Sequence, residues 1–124
     1  MISLPQSVKI HVCVAPTDMR KSFDGLGGLA EHVMQQDPLS GHLFVFRNRA
    51  RDRVKVMYWD TDGLAIWYKR LERGTFQFPM DLQTLDSDAV GVEISATELN
   101  LLLGGIDLAS VKCRRRYQRP NKPK

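Results

Sequence analysis

From His42 to Pro79 the chain alternates short apolar runs with turn-forming residues. Leu43–Arg47, Arg53–Trp59, Leu64–Arg70 and Thr75–Phe78 are rich in Val, Ile, Phe, Tyr and Trp. Asn48–Asp52, Asp60–Gly63 and Glu72–Gly74 separate them. Such spacing predicts an antiparallel meander of four strands. In its middle hairpin, a loop of Thr61, Asp62 and Gly63 with Gly63 left-handed would set Asp60 against Leu64 and Val56 against Tyr68. That register collects Val54, Val56, Tyr58, Leu64, Ile66 and Tyr68 on a core face. It leaves Lys55, Met57, Trp59, Ala65, Trp67 and Lys69 on a face both aromatic and basic. A slip of one residue would move every side chain across the sheet, so the register decides what the second face is.

Upstream, Val8, Ile10, Val12 and Val14 alternate with Lys9, His11 and Cys13, the pattern of a half-buried strand. Ser22 is placed to cap a helix whose apolar positions are Phe23, Leu26, Leu29, Ala30, Val33 and Met34, and Asp37-Pro38 stops it. Downstream of an acidic, polar loop, Ser95-Ala96-Thr97-Glu98 is a capping box, with Ile94 and Leu99 at the positions of a hydrophobic staple. Leu99, Leu102 and Leu103 form the stripe of that short helix, and Gly104 is expected to end it in the left-handed conformation. The order strand, helix, four strands, helix predicts an α+β fold: an antiparallel β-meander sheet with two helices packed on one face. Residues 1–110 form a single domain in this reading. Residues 111–124 have no apolar period and are expected to be a basic, flexible tail, disordered on its own.

The 124 residues carry a net charge of +4, and the distribution matters more than the sum. Seven of the 18 basic residues lie after Val111, leaving the body at −3. Within that body the meander has eight basic residues and four acids, whereas 80–110 has six acids and no base. A basic meander and tail on either side of an acidic flank point to a polyanion partner. No run approaches the ~20 apolar residues of a membrane span, and the N-terminus lacks the pattern of a secretory leader. Cys13 and Cys113 are too few for a disulfide framework. A cytoplasmic, nucleoid-associated protein is expected, with no membrane partner.

Little in the chain suggests catalysis. His11, His32, His42, Cys13 and Cys113 show none of the close ligand pairs of zinc sites, so no metal and no cofactor is expected. Asp60 and Asp62 fall in a turn, where Asp is favoured for its own backbone bonds. Gly25–Gly28 lies inside a helical pattern and makes no phosphate loop. The basic residues offer more. Arg47, Arg49, Arg51 and Arg53, joined by Lys55, alternate through the first hairpin; fully extended, they would stand ~6.6 Å apart on one side. With Lys69 on the sheet, and Arg114, Arg115, Arg116 and Arg119 in the tail, they form the candidate nucleic-acid contact. Met57, Trp59 and Trp67 are a candidate face for base stacking or for docking a partner. Seven tail charges on phosphates would make log K fall with log salt at a slope of about −6.

Several stretches also match a known family. Thr17–Leu26 (TDMRKSFDGL), Ser40–Phe46 (SGHLFVF), Tyr58–Leu64 (YWDTDGL), Trp67–Gly74 (WYKRLERG) and Leu101–Asp107 resemble the small accessory proteins of insertion-sequence family sixty-six. These are the products of that element's second reading frame, often labelled TnpB. The resemblance runs from about Val8 to Asp107. It implies a part in moving a bacterial insertion sequence beside a separate, larger transposase that performs the strand chemistry, and it carries over no catalytic residue. The expected role is therefore a non-enzymatic transposition accessory that binds the element's DNA ends through the basic hairpin and tail, with self-association open. Two alternatives stand beside it: an adaptor docking onto the transposase through the aromatic face, and a metal-dependent nuclease built on Asp60, Asp62 or Glu72.

Overall fold

Leu43-Phe44-Val45-Phe46 is apolar at four successive positions, so neither side of this strand can face water; it needs a cover on both. The computed structural model meets that demand. It describes residues 7–82 and 90–104, together with the backbone of two short strands, Ile106–Asp107 and Lys112–Cys113. Strand β1 (Ile10–Cys13) is followed by helix α1 (Phe23–Gly28), which runs on into a π-helical turn at Leu29–Val33. Strands β2 (Leu43–Arg47), β3 (Arg53–Asp60) and β4 (Gly63–Arg70) come next, then β5 (Gly91–Ile94) and helix α2 (Ala96–Gly104). The two short strands β6 (Ile106–Asp107) and β7 (Lys112–Cys113) pair with each other.

The main sheet has the order β4-β3-β2-β1-β5. It is antiparallel throughout except where β1 lies parallel to β2, with Ile10 opposite Leu43. On one face, Ile10, Val12, Leu43, Val45, Val54 and Val56 pack with Phe76 and with Leu99, Leu102 and Leu103 of α2. On the other, Cys13, Phe44, Phe46 and Met57 pack with Leu26 and Ala30 and with Met34, just beyond the π turn. The α+β class and the largely antiparallel sheet agree with the sequence reading. The helices, however, lie on opposite faces and not on one, because β1 and β2 present apolar side chains in both directions.

That two-sided core also overturns the expected hairpin register. Asp60 faces Gly63, Val56 faces Trp67 and Met57 faces Ile66, so the loop is the two residues Thr61 and Asp62. Leu64 and Ile66 join Met57 on the α1 side, while Trp67 joins Val56 on the α2 side. With both faces covered there is no polar face to oppose an apolar one, and alternation loses its power to set register. The tight turn strains Thr61, which takes φ 58°, an uncommon value for a β-branched residue. Gly63 needs no positive φ.

Other boundaries differ in smaller ways. Thr75–Phe78 is not a strand but an irregular strap: Leu71 N–H donates to Asp52 O (2.8 Å) and Phe76 N–H to Arg51 O (2.7 Å), seating the Phe76 ring in the core. The first helix ends where Gln35 turns left-handed (φ 56°) and Gln36 N–H reaches back to Ala30 O. Only Leu26, Ala30 and Met34 of its expected stripe are fully buried; Phe23 and Val33 stay exposed. The capping box forms as expected: Ser95 Oγ accepts from Glu98 N–H (3.0 Å) and Glu98 Oε1 from Ser95 N–H (2.9 Å). Gly104 remains helical and is not left-handed. The expectation for 111–124 lies outside the described residues, apart from the backbone of β7.

Candidate nucleic-acid interface

Parity places each basic residue of the first hairpin. Asn48 N–H donates to Arg53 O (3.2 Å), and the Asn48 side chain accepts from Arg53 N–H and donates to Asp52. The loop between them turns left-handed at Arg51 (φ 59°), whose amide bonds Asn48 O (3.2 Å). Arg49 and Arg51 are thereby exposed at the tip, and Arg53 is half-buried at its base.

Arg47 and Lys55 have a different fate. Each is 8% and 7% exposed, respectively, and each is spent on holding the chain between β1 and α1. The Arg47 Nη2 donates to Val14 O, while Thr17 N–H donates to Arg47 O (2.7 Å). Burial lowers the Arg47 pKa from its ordinary value, and the neighbouring Arg51 and Arg49 push the same way. Its Nε is buried with no hydrogen-bond partner among the described residues. Lys55 Nζ donates to Met19 O (2.8 Å) and Lys21 O (2.7 Å) and sits 4.7 Å from the centre of the Tyr68 ring. The Asp18–Arg20 ion pair (2.8 Å) closes the same turn on its solvent side. The turn between β1 and α1 is thus clamped by two buried cations, and the five-residue basic comb does not exist as a surface.

Two cations that the sequence reading passed over make up the loss. Arg70 stands directly opposite Arg53 in the β3–β4 ladder, and the strap bonded to the hairpin loop carries Arg73. A like-charged pair directly opposite across two strands is destabilising unless something answers it. Among the described residues Arg70 pairs with Glu72 at 3.5 Å, with both side chains more than half exposed. Arg49, Arg51, Arg53, Arg70 and Arg73 therefore gather at one end of the sheet. The signal was the register itself, unavailable until β3 and β4 were aligned. Lys69 lies on the α2 side, with Nζ 3.4 Å from Leu103 O, away from Arg53 and Arg70. Arg114, Arg115, Arg116 and Arg119 fall outside the described residues.

The aromatic face comes apart. Met57 is fully buried beneath α1, Trp59 lies on that same side near the β3–β4 turn, and Trp67 packs on the opposite core. The carboxylates are equally dispersed. Asp60 precedes the β3–β4 turn and Asp62 lies in it, while Glu72 follows the far end of β4, ~25 Å away at the rise of a strand. Among the described residues no group of three or more His, Cys, Asp or Glu could hold a metal ion. No described helix is long and apolar enough to cross a membrane.

The family model for IS66 Orf2-like proteins matches residues 8–113. The chain belongs to that family. An uncharacterized protein of Sinorhizobium fredii, y4hO, is 36% identical over 107 residues, covering 86% of this chain and 88% of its own length. A second from the same organism, y4jC, is 35% identical over 122 residues, covering 98% of both chains. No solved structure matches. Membership in the IS66 Orf2-like family makes this a protein associated with transposition of insertion sequences, and the family is not a known enzyme family.

Proposed function

We propose that this IS66 Orf2-like protein is a non-enzymatic accessory that binds the DNA ends of its element, working beside the element-encoded transposase. One observation carries the reading: Arg49, Arg51, Arg53, Arg70 and Arg73 converge where β2, β3, β4 and the strap meet. Guanidinium groups gathered at one end of a sheet form a site suited to an anionic backbone, and phosphate contacts of this kind position a protein on a duplex. The basic residues after Val111 add to the same electrostatic attraction. The dispersal of Asp60, Asp62 and Glu72 favours this reading over a nuclease. The splitting of Met57, Trp59 and Trp67 favours it over a docking face made of those three.

The test is retention of element-end DNA by the full chain across a salt series. The double variant Arg49→Glu, Arg51→Glu should bind at least ~10-fold more weakly, and the slope of log K against log salt should become shallower by about 2, near 0.9 per lost phosphate contact. Unchanged affinity and slope would remove the hairpin from DNA binding.

A further inference from the structure

Strand β4 is the outermost strand of the main sheet, eight residues long, and among the described residues no strand pairs with its outer edge. Its composition matches that of β3, yet Val54–Met57 are buried and Leu64, Ala65, Ile66 and Trp67 are each only half-buried. Both faces of β4 have a core beside them, so what it lacks is a neighbour in the sheet. The bond from Asn48 to Arg53 fixes which backbone groups are spare. Arg53, Lys55 and Met57 bond towards β2, so Val54, Val56, Tyr58 and Asp60 bond towards β4. Their partners are Gly63, Ala65, Trp67 and Lys69, which leaves the amides and carbonyls of Leu64, Ile66, Tyr68 and Arg70 pointing outward. None of these backbone groups bonds to another described residue. Within β4 itself two devices that blunt such edges are missing: it has no proline, and its charged residues, Lys69 and Arg70, lie only at its end. The opposite edge, β5, is four residues long with Glu93 in its middle.

We infer that β4 is a self-association edge, pairing antiparallel with β4 of a second copy to make one continuous sheet across a two-fold axis. The register follows from two constraints. Outward-facing residues must oppose outward-facing residues, which leaves only alternate registers. Of these, setting Ile66 against the partner's Ile66 puts Leu64 opposite the partner's Tyr68 and Asp62 opposite the partner's Arg70, twice by symmetry. The neighbouring register, centred on Trp67, would set Asp62 against the partner's Glu72. Charge therefore selects the Ile66-centred pairing, with an acid–base pair at each end of an apolar stretch and a self-complementary patch as a two-fold contact requires. Tyr68, 48% exposed on a single copy, is covered in the pair. The inference rests on the strand edge and the charges at its ends, and its test is made without DNA because Arg70 belongs to both surfaces.

Sedimentation equilibrium of the full chain without DNA tests it. The expected result is a monomer–dimer equilibrium. Asp62→Arg, at an exposed turn position that supports no core contact, should weaken the dimer about tenfold by turning two attractive rim pairs into repulsive ones. Adding Arg70→Asp to Asp62→Arg should restore it. A monomer at every concentration, a dimer indifferent to Asp62→Arg, or a failure of the double variant to recover would each overturn the pairing.

Discussion

Lys55 separates what the chain advertises from what the fold does with it. In the sequence it continues a run of alternating cations; in the structure it is a buried strut. Lys55→Met keeps the apolar stem and removes only the ammonium group, so the packing of the alkyl chain against the α1 side of the sheet is conserved. Two charge-assisted bonds are lost, to Met19 O and Lys21 O, together with the contact to the Tyr68 ring. Hydrogen bonds to charged groups contribute about 1.5–3 kcal/mol each. Against this stands the relief of no longer desolvating a cation, worth several kcal/mol before relaxation. Leaving two carbonyls without their donor should dominate, for a net loss of about 3 kcal/mol. In urea, with a slope of about 1.5 kcal/mol/M, the unfolding midpoint should fall by about 2 M. The same variant, held under native conditions, should keep the salt slope of DNA binding. A midpoint shift below about 0.5 M, or a lost phosphate contact with stability intact, would refute the assignment of Lys55 to the fold.

The capping box makes a smaller and sharper prediction: Ser95→Ala should cost about 1 kcal/mol in urea unfolding, while Ser95→Thr retains most of that. His11 links stability to pH. Burial lowers its pKa from 6.5, with Lys9 and His42 acting the same way and Glu93, its neighbour on β5, opposing them. A depressed pKa means the neutral ring is the folded form, so stability should be constant above pH 6.5 and decline as pH falls through the folded value. His11→Phe, which keeps the stack on Phe44, should flatten the melting temperature between pH 7.5 and 5; parallel profiles for the two proteins would contradict this.

Local chemistry was legible wherever a few neighbouring residues settle the matter. The capping box, the strand runs at β2, β3 and β4, the helical stripe through Leu26, Ala30 and Met34, and the polarised charge all follow from spacing and side-chain type, and the motifs that mark the IS66 Orf2-like family are contiguous. Tertiary structure decided everything that depends on what covers a surface. Val8–Val14 says strand, but only the pairing of β1 with both β2 and β5 puts it inside the sheet and demands a helix on each side. Once both faces are apolar, alternation cannot choose between two- and three-residue turns, so the register that divides Trp59 from Trp67 and sets Arg53 against Arg70 lay beyond the reach of pattern. A cation in a sequence reads as surface because burial of charge is costly. Arg47 and Lys55 are buried because carbonyls from a distant turn meet them there, and those partners lie more than thirty residues away along the chain.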